Sequence, residues 1–346
     1  MSLSQAIRQR DVGLLPGRRQ EDWRWTDIRG LVRSLPPAAP EGAAAPHPGR
    51  FGDLGDAEVL FVDGRLRAGD AQLRVGEGEE SIVRLRFVAA TAEVSHAARV
   101  QIEVARGASV TLLESYEGLA GGYLADVEIG VSLGAGARLR RYVLAEDAAD
   151  SVMVSTATVD LAAGAGLDQF VLTCGARRQR IETRVAHPGA GAVVRLDGAY
   201  ILSGQRHADQ TSVVDHAGPD GVTEQLAKGV VTDQARAVFQ GRIRVAHGAD
   251  RVDARMGHHA LLLSDRAEVD ARPELEIYAD DVSCAHGNTV GVLDEEALFY
   301  AMQRGIPEAE ARALLVEAFV GEILERIGFE PGRDVLARIA SGWLRG

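Results

Sequence analysis

From about residue 51 to 290 the chain alternates aliphatic and polar positions in short runs, with Gly and Ala gathered between them. Ile102-Glu-Val-Ala-Arg-Gly-Ala-Ser-Val-Thr-Leu112, Val131-Ser-Leu-Gly-Ala-Gly-Ala-Arg-Leu139 and Val159-Asp-Leu-Ala-Ala-Gly-Ala-Gly-Leu167 each read as strand, small corner, strand. Alternation at period two puts one set of side chains on a single buried face. With corners taken at Gly107, Gly134 and Gly164, then Gly189 and Gly248, the first three lie 27 and 30 residues apart, a recurrence that predicts stacked coils. A jelly roll or sandwich also has short strands and regular turns, so periodicity alone leaves that alternative open.

The two ends carry a different pattern. Residues 4–10 (SQAIRQR) predict a short helix, and residues 21–27 (EDWRWTD) follow it. Trp23 and Trp25, two of the three tryptophans, read as apolar anchors of this segment on the main body. Pro36, Pro37, Pro40, Pro46 and Pro48 then fall in one Ala-rich stretch without a periodic apolar face, which reads as a semi-extended linker. After residue 293, Asp294 is placed to cap a helix that Gly305 stops. Pro307 opens a second helix with the stripe Ala311, Leu314, Leu315, Ala318, Phe319 and Ile323. A third follows Pro331, with Val335, Leu336, Ile339, Trp343 and Leu344 as its apolar face. Such an appendage is expected to cap the stack and leave a docking surface free. The expected division is an N-terminal helical segment and linker over 1–50, a β-helix core over 51–292 and a C-terminal helical domain over 293–346.

Composition sharpens this picture. The 39 glycines and 5% aromatic content suit thin, aliphatic, repetitive layers. A net charge of −12 repels a phosphate backbone, so no nucleic-acid partner is expected. No stretch approaches the roughly 20 apolar residues of a membrane span, and residues 1–19 lack the apolar region of a secretory signal. Two cysteines, Cys174 and Cys284, are too few for a disulfide framework and fit a reducing, cytoplasmic setting. They also cannot supply the four thiolates of a usual iron–sulfur cluster.

The familiar catalytic signatures are missing: no Gly-x-Gly-x-x-Gly, Walker A, Gly-x-Ser-x-Gly or His-Glu-x-x-His stretch occurs. Cys284-Ala-His286 is the one local pair with metal-ligand chemistry, since positions i and i+2 of a strand share a face. Two ligands leave a tetrahedral site half empty, and a buried thiol beside a surface imidazole is the structural alternative. His258 and His259, if extended, point to opposite faces. His207, Asp209, Asp215 and His216 form a second cluster, which on a β-helix surface suits a carbohydrate-active lyase or hydrolase.

Several stretches resemble the SufB/SufD family: residues 228–245 (KGVVTDQARAVFQGRIRV), 260–287 (ALLLSDRAEVDARPELEIYADDVSCAHG), 291–300 (GVLDEEALFY), 304–307 (RGIP) and, at the other end, 21–26 (EDWRWT). The likeness runs nearly unbroken over 207–327, while 50–200 fits only in texture. It implies a mainly β protein, a right-handed parallel β-helix flanked by N-terminal and C-terminal helical segments. It further implies a scaffold without catalysis of its own, paired with a SufB-like subunit and carrying a SufC-like ATPase on its C-terminal helices. A transient iron–sulfur cluster is then expected at the SufB–SufD interface, with His286 implicated and Cys284 its neighbour, and no cofactor held stably by this chain alone. Ala260 stands where SufB would show its assembly cysteine, which places the resemblance on the SufD branch. Whether the isolated chain forms a homodimer stays open.

Overall fold

The period-two runs form 18 strands wound into a solenoid of about eight turns, seen in a computed structural model that describes residues 3–345. One ten-stranded sheet contains β1 (Ala57–Val62), β2 (Arg65–Ala68), β4 (Glu80–Ala89), β6 (Ser109–Gly118), β8 (Arg138–Glu146), β10 (Gly166–Thr173), β12 (Val193–Leu202), β14 (Val222–Val231), β16 (Val252–Leu262) and β18 (Val282–Gly291). The eight-stranded sheet opposite contains β3 (Gln72–Val75), β5 (Ser95–Val104), β7 (Leu124–Leu133), β9 (Val152–Leu161), β11 (Arg178–His187), β13 (His207–His216), β15 (Arg236–Val245) and β17 (Glu268–Ile277). Apart from the β1–β2 hairpin, every pairing between these strands is parallel, each strand bonding to the one a full coil later. That arrangement rules out the jelly roll, whose strands pair antiparallel.

The corners recur more regularly than the sequence reading had them. Left-handed backbone occurs at Gly107, Gly136, Gly164, Gly191, Asp220 and Gly248. The turning residue is therefore the second glycine of 134–136 and of 189–191, not the first. Gly107, Gly136, Gly164, Gly191 and Gly248 are each followed by an alanine with no exposed surface, Ala108, Ala137, Ala165, Ala192 and Ala249. Only glycine takes this conformation without penalty, and only a small residue fits the tight inner corner behind it.

Inside, the coils stack Val, Leu and Ile from both sheets into one core. A fully buried Arg141 interrupts it, forked onto Glu114 at 2.6 and 2.7 Å and bonded to Gln169 at 2.7 Å. A buried charge needs such complete pairing, because losing one partner would strand the other.

The helices flank the solenoid on opposite faces. α1 (Leu3–Gln9) and the short α2 (Ile28–Leu31) cover the eight-stranded sheet, with Leu3, Ala6, Ile7 and Ile28 packed on Leu124, Val152 and Val154. Trp23 and Trp25 anchor this segment largely by stacking on arginine, not by apolar contact alone: the Arg180 guanidinium lies 4.5 Å from the Trp23 ring centre and that of Arg272 5.7 Å from Trp25. α3 (Glu295–Gln303) is capped by Asp294 as expected, and α4 (Glu308–Leu324) and α5 (Glu330–Arg345) follow. These last two do not cap the stack. They fold back along its flank, where Val316, Val320, Ile323 and Leu336 cover Leu113, Tyr142, Phe170 and Leu172 on the outer face of the ten-stranded sheet. Arg326 bonds Asp197 at 2.7 Å and Glu224 at 2.8 Å to fix the dock. The apolar stripes of α4 and α5 are thus spent largely on intramolecular packing.

Candidate functional site at the open end

The solenoid ends at β17 and β18, each of which pairs with a strand of its own sheet on one side only. Alternation places Cys284, His286 and Asn288 of β18 in register with Ala254, Met256 and His258 of β16, all on the inner side of the coil. Cys284 packs partly against the core, and burial pushes its thiol above the ordinary range, helped by the charge of Asp253 and opposed by the Ala254 N–H. A protonated thiol is a poor ligand and a poor nucleophile. His286 is exposed and has no hydrogen-bond or ionic partner among the described residues. The sequence pair is therefore on one face, as expected. No group of three or more His, Cys, Asp or Glu side chains suited to a metal ion gathers anywhere among the described residues.

Directly behind this edge lies a polar chain that sequence reasoning missed. His258 has no exposed surface, is stacked on Phe239 at 4.5 Å with the rings 11° apart, and is bonded on both nitrogens. Nδ1 lies 2.6 Å from Asn288 Oδ1 and Nε2 lies 2.8 Å from the Tyr200 hydroxyl. A carbonyl oxygen can only accept, which assigns the proton to Nδ1 and makes Tyr200 the donor to Nε2. Burial pushes the ring's pKa down to about 4, so it is neutral at physiological pH. His259 points outward as predicted, its Nδ1 2.6 Å from Thr289 Oγ1. Ala260 is buried beside Tyr200.

The other sequence cluster is not a site. Asp209 is buried beneath the N-terminal segment, accepting from Arg180 at 2.7 Å, Thr211 at 2.7 Å and Gln240 at 3.2 Å, with the Thr26 hydroxyl closing it from above. His207 bonds the Trp25 carbonyl at 3.1 Å. His216 turns to the opposite, inner face, where it meets His187 and Thr223. With no cleft and its members on both sides of a strand, the cluster cannot hold a sugar.

Exposed large hydrophobics concentrate near the open end. Of the 13 among the described residues, nine lie between 263 and 314, including Val290 on β18, Val292 just after it, and Phe299, Tyr300 and Met302 on α3. No described helix is long and apolar enough to cross a membrane.

Comparison with known proteins places this geometry. Residues 87–319 match the family model described as the SufBD core domain of SUF system FeS cluster assembly. The chain is 28% identical over 374 residues to the iron–sulfur cluster assembly protein SufD of Escherichia coli, covering 94% of this chain and 88% of that protein. It is 31% identical over 245 residues to an iron–sulfur cluster assembly SufBD family protein of Mycobacterium leprae, covering 68% of this chain and 62% of that one. A SufD of Bacillus subtilis is 34% identical over 150 residues, 41% of this chain and 34% of its own length.

Proposed function

The chain belongs to the SufBD family of iron–sulfur cluster assembly proteins, and on that premise we propose that it is a SufD-like scaffold subunit working in the cytoplasm. In this reading a SufB-like chain adds to the open end of the solenoid, a SufC-like ATPase docks on the exposed side of the C-terminal helices, and a nascent iron–sulfur cluster is held between the scaffold chains as cargo. His286, with Cys284 beside it, is this chain's contribution to that cluster site.

The observation that carries the reading is the state of the last coil. β18 presents an unpaired edge, His286 stands on it exposed and unpartnered among the described residues, and apolar side chains lie uncovered close by. An open edge offers backbone donors and acceptors to another chain, and a contiguous apolar surface marks where a partner sits. The donor set supports a shared site: one imidazole and one protonated thiol are insufficient for a cluster, so the remaining ligands must come from elsewhere. In isolation, the same edge is available to a second copy of this chain.

The test is the iron and sulfide content of the complex after coexpression with its SufB-like and SufC-like partners. His286→Ala should preserve folding and association but lower the cluster load, because alanine can neither ligate iron nor relay a proton. Cys284→Ser should have a smaller effect, since that thiol is held protonated. A full load in the His286→Ala complex would move the site elsewhere.

A further inference from the structure

A second concave surface lies far from this edge in sequence. Arg18, Arg19, Arg29 and Arg33 of the N-terminal segment and Arg178 at the start of β11 line a groove of about 720 Å³. Gathering five guanidinium groups is unexpected in a chain of net charge −12, where most other clustered arginines are tied to carboxylates, as Arg242 is to Glu274 and Arg251 to Asp220. Here the side chains of Arg18, Arg19, Arg29 and Arg33 have no ion pair or hydrogen bond among the described residues. The one carboxylate in the lining, Asp27, is occupied by the Gly30 N–H at 2.8 Å.

Arg178 is half-buried. Its Nη1 donates to the Arg177 carbonyl at 2.9 Å, while its buried Nε has no partner. Burial depresses its pKa, and the nearby charges of Arg236 and Arg177 add to the effect, outweighing the opposing charge of Asp27. The adjoining pocket, which shares Arg18 and Arg19, adds Glu21, Arg24 and Arg236 beside Trp25, with Arg236 itself paired to Asp270 at 2.6 Å. Like charges held together with unused donors are relieved by a bound polyanion.

We propose that this groove binds a small molecule bearing a diphosphate or longer phosphate chain. Guanidinium forks match phosphate oxygens in pairs, and the volume is that of a small-ligand site. A nucleic-acid strand would extend beyond the groove over a surface whose net charge repels it. The proposal does not depend on the assembly role.

Calorimetric titration of the full-length chain with inorganic pyrophosphate, ADP and sulfate at one ionic strength tests it. Pyrophosphate should saturate a single site, with sulfate at least about tenfold weaker, since one tetrahedral anion engages fewer guanidiniums. Arg178→Ala should weaken pyrophosphate about tenfold. The exposed double variant Arg29→Ala/Arg33→Ala, which removes no side-chain hydrogen bond or ion pair, should do likewise and decides the matter if Arg178→Ala fails to fold. Equal affinity for pyrophosphate and ADP would support recognition of the diphosphate alone; tighter ADP would support a nucleotide ligand. Unsaturable binding, equal affinity for sulfate, or unchanged affinity in a folded rim variant would overturn the proposal.

Discussion

The Tyr200 hydroxyl reaches Nε2 of His258, two coils further along the solenoid, by passing over Gly229 in the intervening strand. A Cβ on residue 229 would lie 1.8 Å from the Tyr200 ring, so the contact exists only because that position is glycine. Gly229→Ala should therefore expel the ring and cost about 3 kcal/mol, the upper end of typical overpacking. Tyr200→Phe keeps the packing but leaves a buried acceptor without its donor, for about 1–3 kcal/mol. Urea midpoints of the two variants check the order, and a Gly229→Ala protein as stable as wild type would contradict this packing.

Three of the four buried imidazoles predict a pH signature. Burial pushes His258 and His207 down to about 4, and pushes His216 to about 3 with help from His187. In the unfolded chain these rings protonate near 6.5. The unfolded state therefore binds protons first as pH falls, so the three contribute stability that declines from about pH 6.5 down to their folded values, by up to about 1.4 kcal/mol per ring per pH unit. Asp126 works in the opposite direction, because burial raises its pKa to about 6 and the folded state takes up that proton first. Site-resolved nitrogen shifts separate the contributions: all three rings should remain neutral at pH 5, and a midpoint near 6.5 for any of them would place it in water.

The coil architecture was legible because it is written locally. A left-handed glycine followed by a buried alanine is a two-residue signal, and alternation fixes which side chains point inward. The Asp294 cap and the opposed directions of His258 and His259 were legible for the same reason. What escaped was everything that depends on neighbours a coil away. Tyr200 and His258 are 58 positions apart and His258 and Asn288 are 30 apart, so their pairing appears only once the register of stacked coils is known. The cluster at 207–216 misled in a related way. Its polarity looked like surface chemistry, but the N-terminal segment lies over Asp209, and no spacing inside β13 reveals a cover contributed from residues 22–26.

That cover yields a third prediction. Arg180 has no exposed side-chain surface and is held by Asp209 at 2.7 Å and Glu182 at 2.9 Å beneath the Trp23 ring. Removing Asp209 leaves Arg180 paired with Glu182 but strips the buried Thr26, Thr211 and Gln240 donors of their shared acceptor, at a cost of about 1–3 kcal/mol. Asp209→Ala should therefore lower stability by that amount and loosen the segment that Thr26 and Trp23 tie down. Limited proteolysis should cut the variant within residues 10–40 before any site in the solenoid. A stable variant with an uncleaved N-terminal segment would show that Asp209 does not organise this cover.

Partner docking on the C-terminal helices must be tested without deleting them. Removing 293–346 would strip α4 and α5 from Leu113, Tyr142, Phe170 and Leu172, baring a broad apolar face on the ten-stranded sheet. The truncated chain should aggregate, and its failure to recruit an ATPase would say nothing about where that partner binds. Phe299 and Tyr300 offer a cleaner probe, being 63% and 60% exposed on α3 and outside the packed cluster. Uncovered aromatic side chains are frequent energetic anchors of protein interfaces, and truncating one commonly costs about 2 kcal/mol or more of binding. Phe299→Asp/Tyr300→Asp should therefore leave the melting temperature and the SufB-like association unchanged while reducing retention of the SufC-like ATPase by at least about thirtyfold. Copurification followed by a binding titration gives both readouts. Wild-type ATPase retention by the folded double variant would remove the exposed face of α3 from that interface.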